Sequence, residues 1–130
     1  MRNYGGKMSY ISFKAQDMGF DAHLTVLYLG EDEPTREQRF AFDKIMADGK
    51  WQGDSLAKRW FIDLFGPETN IPVLRVFVPP ELLAFRMLCE SIMGNGSEYK
   101  NWNPHITLDL AHNDTIHIPS EIKLTDLSLS

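Results

Sequence analysis

The pattern of apolar and polar positions divides the chain into eight predicted elements. Residues 8–15, "MSYISFKA", alternate as a half-buried strand does. After "QDMGFD" turns the chain, "AHLTVLYLG" at 22–30 supplies apolar, branched and aromatic residues closed by a glycine, which predicts a strand over 23–29. The acidic stretch "GEDEP" leads into a helix over 35–47: Thr35 and Gln38 have capping-box spacing, and Phe42, Ile45 and Met46 are its inward residues. "WQGDSLAKRW" reads as a loop or edge segment. Residues 59–66 and 71–79 then form two strands around "PETN", a hairpin with a four-to-six-residue loop. Pro80 suits a first helical turn, and Leu82, Phe85, Leu88, Cys89, Ile92 and Met93 recur at helical spacing until "GNG" stops them. Strands over 104–111 and 121–130 complete the order β, β, α, β, β, α, β, β. No linker or low-complexity run divides positions 1–130. The expected fold is therefore a single α+β domain, antiparallel strands with two main helices packed outside.

Two strands carry unusual chemistry. The first contains His23 and Thr25, the second, "PHITLDL", contains His105 and Thr107. Side chains on a strand alternate between faces, so each His-x-Thr pair lies on one face. Leu24, Val26 and Tyr28 in the first strand, and Ile106, Leu108 and Leu110 in the second, are expected on the opposite face, where helices pack. One His-x-Thr means little. Two of them, in apolar strands from opposite halves of the chain, point to a shared site on the open face of the sheet.

Composition narrows the chemistry. With 43% hydrophobic residues the chain can build a core, and 24% charged residues is ordinary for a soluble domain. No apolar run reaches the roughly 18 residues of a membrane span. The N-terminal segment has no apolar stretch of the signal-peptide kind. The single cysteine, Cys89, has no disulfide partner and cannot join a cysteine zinc site; a cytoplasmic location is expected, a host cytoplasm if the chain is viral. The net charge of −5 is opposite to the basic footprint of proteins that hold duplex DNA or long RNA. A small nucleotide, or at most a short RNA end, is the partner the charge allows.

"HLTVLYLG" and "HITLDL" together resemble the two His-x-Thr signatures of the 2H phosphoesterase superfamily, the LigT-like cyclic phosphodiesterases. The resemblance follows the element order of the whole chain, and its specific part is about fifteen residues. It implies a bilobal domain with a central cleft lined by both signatures, His23 and His105 as the catalytic pair, and Thr25 and Thr107 beside them. Among relatives of this kind, compact phage members are anti-CBASS enzymes that degrade cyclic oligonucleotide immune signals; RNA-end processing enzymes are the other branch.

The chemistry suits these residue types. Phosphodiester cleavage takes a proton from the attacking oxygen and gives one to the leaving oxygen. Histidine, with a reference pKa of about 6.5, can do either near neutrality. Threonine hydroxyls can donate to the non-bridging phosphate oxygens and stabilise charge in the transition state. The scheme requires no metal and no cofactor. Tyr10, Tyr99 and Trp102 are candidates to stack on a base, and Lys14, Lys100 and Arg75 to offset phosphate charge. His112 and His117, with Asp109 or Asp114, match no strong metal-ligand spacing and read as loop histidines. A binding module that captures nucleotides without cleaving them is the alternative to an enzyme.

Overall fold

The computed structural model describes residues 9–30, 33–48, 55–57, 59–65, 71–94, 102–108 and 115–129. These form β1 (Ser9–Ala15), β2 (Ala22–Gly30), α1 (Arg36–Ala47), β3 (Ser55–Ala57), β4 (Arg59–Phe65), β5 (Ile71–Phe77), α2 (Pro80–Met93), β6 (His105–Thr107) and β7 (Ile122–Leu129). Among the described residues the strands make one antiparallel sheet in the order β3-β7-β1-β2-β6-β5-β4. The sheet is continuous through the β2–β6 pair, and β7, last in the chain, returns to lie between β3 and β1. The antiparallel α+β class with two main helices is as the sequence suggests.

Local sequence explains the helix ends. The Thr35 hydroxyl accepts from the Gln38 backbone N–H at 3.1 Å, and the Gln38 side-chain oxygen accepts from the Thr35 N–H at 2.8 Å, the reciprocal capping box. α2 begins at Pro80, whose missing N–H is not needed in a first turn, and ends where Gly94 takes φ +66°.

Both helices cover one face of the sheet. Ile11, Phe13, Leu24, Leu27, Leu74 and Ile106 from the strands are buried with Phe42 of α1 and Leu82, Phe85, Cys89 and Met93 of α2. Ile45, Met46 and Ile92 are half-buried against this core. Leu88, expected in the apolar stripe of α2, is exposed, and Arg86 is buried instead. Burial pushes the Cys89 thiol up to about 12, so it stays protonated and is no nucleophile.

The β2 strand departs from strict alternation. Its register on β1 runs Lys14 opposite His23, Ser12 opposite Thr25, then Ile11 opposite Leu27 and Tyr10 opposite Tyr28. Val26 is the extra residue of a bulge. Both Val26 and Leu27 are buried, and Tyr28 after them changes face, until a second register shift at Leu29 sets Gly30 opposite Ser9. Tyr28 consequently lies with Tyr10 on the open face, not with Leu24 as simple alternation implies.

The turn before β2 is fixed by a close backbone approach. The Met18 carbonyl accepts from the His117 N–H at 2.8 Å, and Gly19 sits at φ +79° against this segment. A Cβ there would come within 1.6 Å of the Thr115 carbonyl oxygen. Gly19→Ala is expected to lower stability by about 2 kcal/mol, from left-handed strain plus forced displacement of backbone. Thermal unfolding of the variant checks this; an unchanged midpoint would contradict it.

Candidate active site

The site is built where β2 meets β6. Leu24 pairs with Ile106, and both side chains are fully buried on the helix side. In an antiparallel pair this register sets Thr25 beside His105 and His23 beside Thr107, all four on the open face. Directly opposed residues in such a pair have Cα atoms about 4.5–5.5 Å apart. Each histidine therefore neighbours the threonine of the other motif. About the Leu24–Ile106 pair the two motif strands are related by a local two-fold.

The next strands extend the symmetry. On β1, Lys14 is opposite His23; on β5, Arg75 is opposite His105. One cation thus stands outside each histidine. Each histidine also meets an aromatic ring. Tyr10 stacks on His23 with centroids 5.7 Å apart and planes 26° apart, and Phe65 meets His105 edge-on at 4.7 Å. Tyr10 is half-buried, while Lys14 is exposed.

β6 is short because Pro104 precedes it and has no N–H for a ladder. The Pro104 carbonyl accepts from Val76 at 3.1 Å, and Leu108 donates to the Pro72 carbonyl at 3.1 Å, which pins β6 to β5 on both sides of the motif. Just before it, Asn103 serves two site residues. Its carbonyl lies 2.7 Å from His105 Nδ1. A carbonyl can only accept, so Nδ1 carries the proton and Nε2 is the atom free to exchange one. The Asn103 side-chain oxygen accepts from Arg75 Nη2 at 3.1 Å, while Arg75 Nη1 lies 3.4 Å from Asp63 Oδ2.

Trp102, a candidate to stack on a base, is half-buried against the core. Its indole N–H donates to the Thr25 carbonyl at 3.0 Å, and the Arg86 guanidinium lies over the ring, 5.6 Å from the centroid. Arg86 Nε in turn donates to the Val26 carbonyl at 3.0 Å, and its Nη1 pairs with Glu90. The bulge next to Thr25 is thereby held by two side chains, one from α2 and one from the segment before β6. Arg86 and Asn103 had no distinguishing sequence signal. Only their place beside the second motif, or on a helix facing the first, makes them legible afterwards.

Tyr99, Lys100, Asp109, His112 and Asp114 lie outside the described residues. His117 is exposed. Among the described residues no group of three His, Cys, Asp or Glu side chains could hold a metal ion, and no helix is long and apolar enough to cross a membrane.

No protein-family model matches the chain, and no curated protein matches it. Among solved structures, a crystal structure of a phosphoesterase superposes with a TM-score of 0.62 at 14% identity, over 95% of this chain and 86% of that chain. The two share a fold across nearly their whole length.

Proposed function

We propose that the protein is a phosphodiesterase of the 2H kind that cleaves a small nucleotide without a metal. The observation that carries this reading is the crossed pairing of the two motifs: the Leu24–Ile106 register brings two histidines and two threonines onto one open face, with Lys14 and Arg75 outside them. The fold shared with a phosphoesterase supports it.

In this scheme the phosphorus lies between the histidines. Nε2 of one neutral histidine takes the proton from the attacking oxygen, water or a ribose 2′-hydroxyl, as the new P–O bond forms. The other histidine, protonated, gives its proton to the leaving oxygen as the old P–O bond breaks. The Thr25 and Thr107 hydroxyls donate to the non-bridging oxygens. Lys14 and Arg75 offset the phosphate charge, and Tyr10 braces His23. After turnover the two histidines have exchanged protonation states.

The preferred substrate is a cyclic oligonucleotide of the immune-signal type that phage anti-CBASS enzymes degrade. A compact diffusible ligand suits a chain of net charge −5 better than a long polyanion. The test is a turnover panel in EDTA: 3′–5′ and mixed 2′–5′ cyclic di- and trinucleotides, 3′,5′-cyclic mononucleotides, and a short RNA ending in a 2′,3′-cyclic phosphate. Cleavage of a cyclic oligonucleotide is expected. Cleavage of the RNA end alone would transfer the protein to RNA-end processing. Tight binding with no cleavage of any member would replace the enzyme by a nucleotide sponge.

A further inference from the structure

The open face is not uniform. On the His23 side its strands present Lys14 and Thr125, the buried Ser12, and the half-buried Tyr10 and Tyr28, of which Tyr10 is taken up by the His23 ring. On the His105 side the register places Phe61, Phe65, Phe77, Arg59 and Arg75 on that same face. These residues touch one another in sequence. Phe65 meets the His105 ring at 4.7 Å; Arg75 lies over Phe65 at 5.5 Å and over Phe61 at 5.4 Å. Phe61 and Phe77 are 5.9 Å apart, and Arg59 lies over Phe77 at 5.2 Å. A continuous ladder of rings and guanidinium groups therefore runs from a candidate catalytic histidine across two strands, about 10 Å at ordinary strand spacing.

Phe61 and Phe77 are 42% and 52% exposed. Two large rings left in water beside two arginines, on an acidic chain, have the composition of a single-stranded nucleic-acid seat. Rings stack on bases of any identity, and arginine supplies both cation–π contact and phosphate attraction. We infer that the β4–β5 face is the seat of an unpaired nucleoside attached to the scissile phosphate, its base on Phe61 and Phe77 and its phosphates beside Arg75 and Arg59. The substrate then extends from the histidines toward β4 and carries at least one nucleobase there. The inference rests on the phosphodiester reading above and deepens it. Cyclic oligonucleotides and RNA ends share this chemistry.

The test uses the full chain carrying His23→Ala, so that binding is read without cleavage. Two probes distinguish the sources: a cyclic dinucleotide containing 2-aminopurine, and a linear 2-aminopurine dinucleotide ending in a 2′,3′-cyclic phosphate. Quenching of the probe on binding is expected with at least one of them. The added pair Phe61→Ala and Phe77→Ala should weaken that binding about tenfold or more, while Phe61→Trp with Phe77→Trp should preserve it. Phe40→Ala, which removes an exposed ring from α1, is the control and should leave binding as it was. Equal binding by the alanine pair and its parent would overturn the inference. So would absence of quenching by the parent, or self-association of the protein that the alanine pair abolishes without any nucleotide effect. Turnover by the native chain is read separately. Cleavage with unaffected binding leaves the phosphodiesterase and removes the seat; lost quenching with no cleavage keeps the seat and removes the enzyme.

Discussion

Replacing either His23 or His105 by alanine is expected to lower kcat for the cleaved phosphodiester by about 10²- to 10⁴-fold, the usual worth of one positioned acid or base. Both single variants should fall, because one turnover needs a proton removed and a proton given. The double variant should fall little further than the worse single one, since a two-part machine without either part is already broken. Neither change should cost much stability. His23 is exposed and His105 is half-buried, and their strand partners Leu24 and Ile106 remain in the core. Asn103 adds an asymmetry: its carbonyl holds the Nδ1–H tautomer of His105, whereas the contact described for His23 is the Tyr10 ring. A variant series in which only one histidine matters would remove the paired acid–base scheme and leave a different use for the second motif.

Much of this arrangement was legible in the residues themselves. Short-range signals gave the helix start at Thr35, the Pro80 entry and the hairpin partners of β4 and β5, because capping, proline geometry and alternation act over a few residues. Alternation also put each His-x-Thr on one face. Two things were not legible. The first is the bulge at Val26: a period of two carries no mark of an inserted residue, so Tyr28 was expected on the wrong side. The second is the joining of β2 to β6, which are far apart in the chain. Nothing local specifies that Leu24 meets Ile106 and not a residue two places away. That pairing decides which threonine neighbours which histidine. The aromatic face of β4 was hidden for a related reason. "RWFIDLF" is apolar on both sides, so its pattern names a strand without saying which rings reach the site.

The bulge leads to the second large expected effect, at Arg86. Arg86→Met keeps the length and apolar stem of the side chain but removes every donor. The Glu90 partner is more than a third exposed, so an i,i+4 ion pair of this kind contributes at most about 0.5 kcal/mol. The backbone contact matters more. Val26 is buried, and its carbonyl would be left without the Nε donor, which together with lost cation–π contact to Trp102 costs about 3 kcal/mol. At this chain length that corresponds to a fall in Tm of roughly 10 °C. A purely structural role would end there. If Arg86 also positions Thr25 through the bulge, kcat measured at low temperature, where the variant is fully folded by circular dichroism, should be about tenfold below the native value with KM little changed. Trp102→Phe gives the matching measurement, because it removes only the N–H that Thr25's carbonyl uses and leaves a ring beneath Arg86. The two changes act on adjacent carbonyls of one strand, so their effects on kcat should be coupled and the double variant should fall short of the product of the singles. Independent effects would mean that each side chain supports the fold separately and that Thr25 holds its place without them.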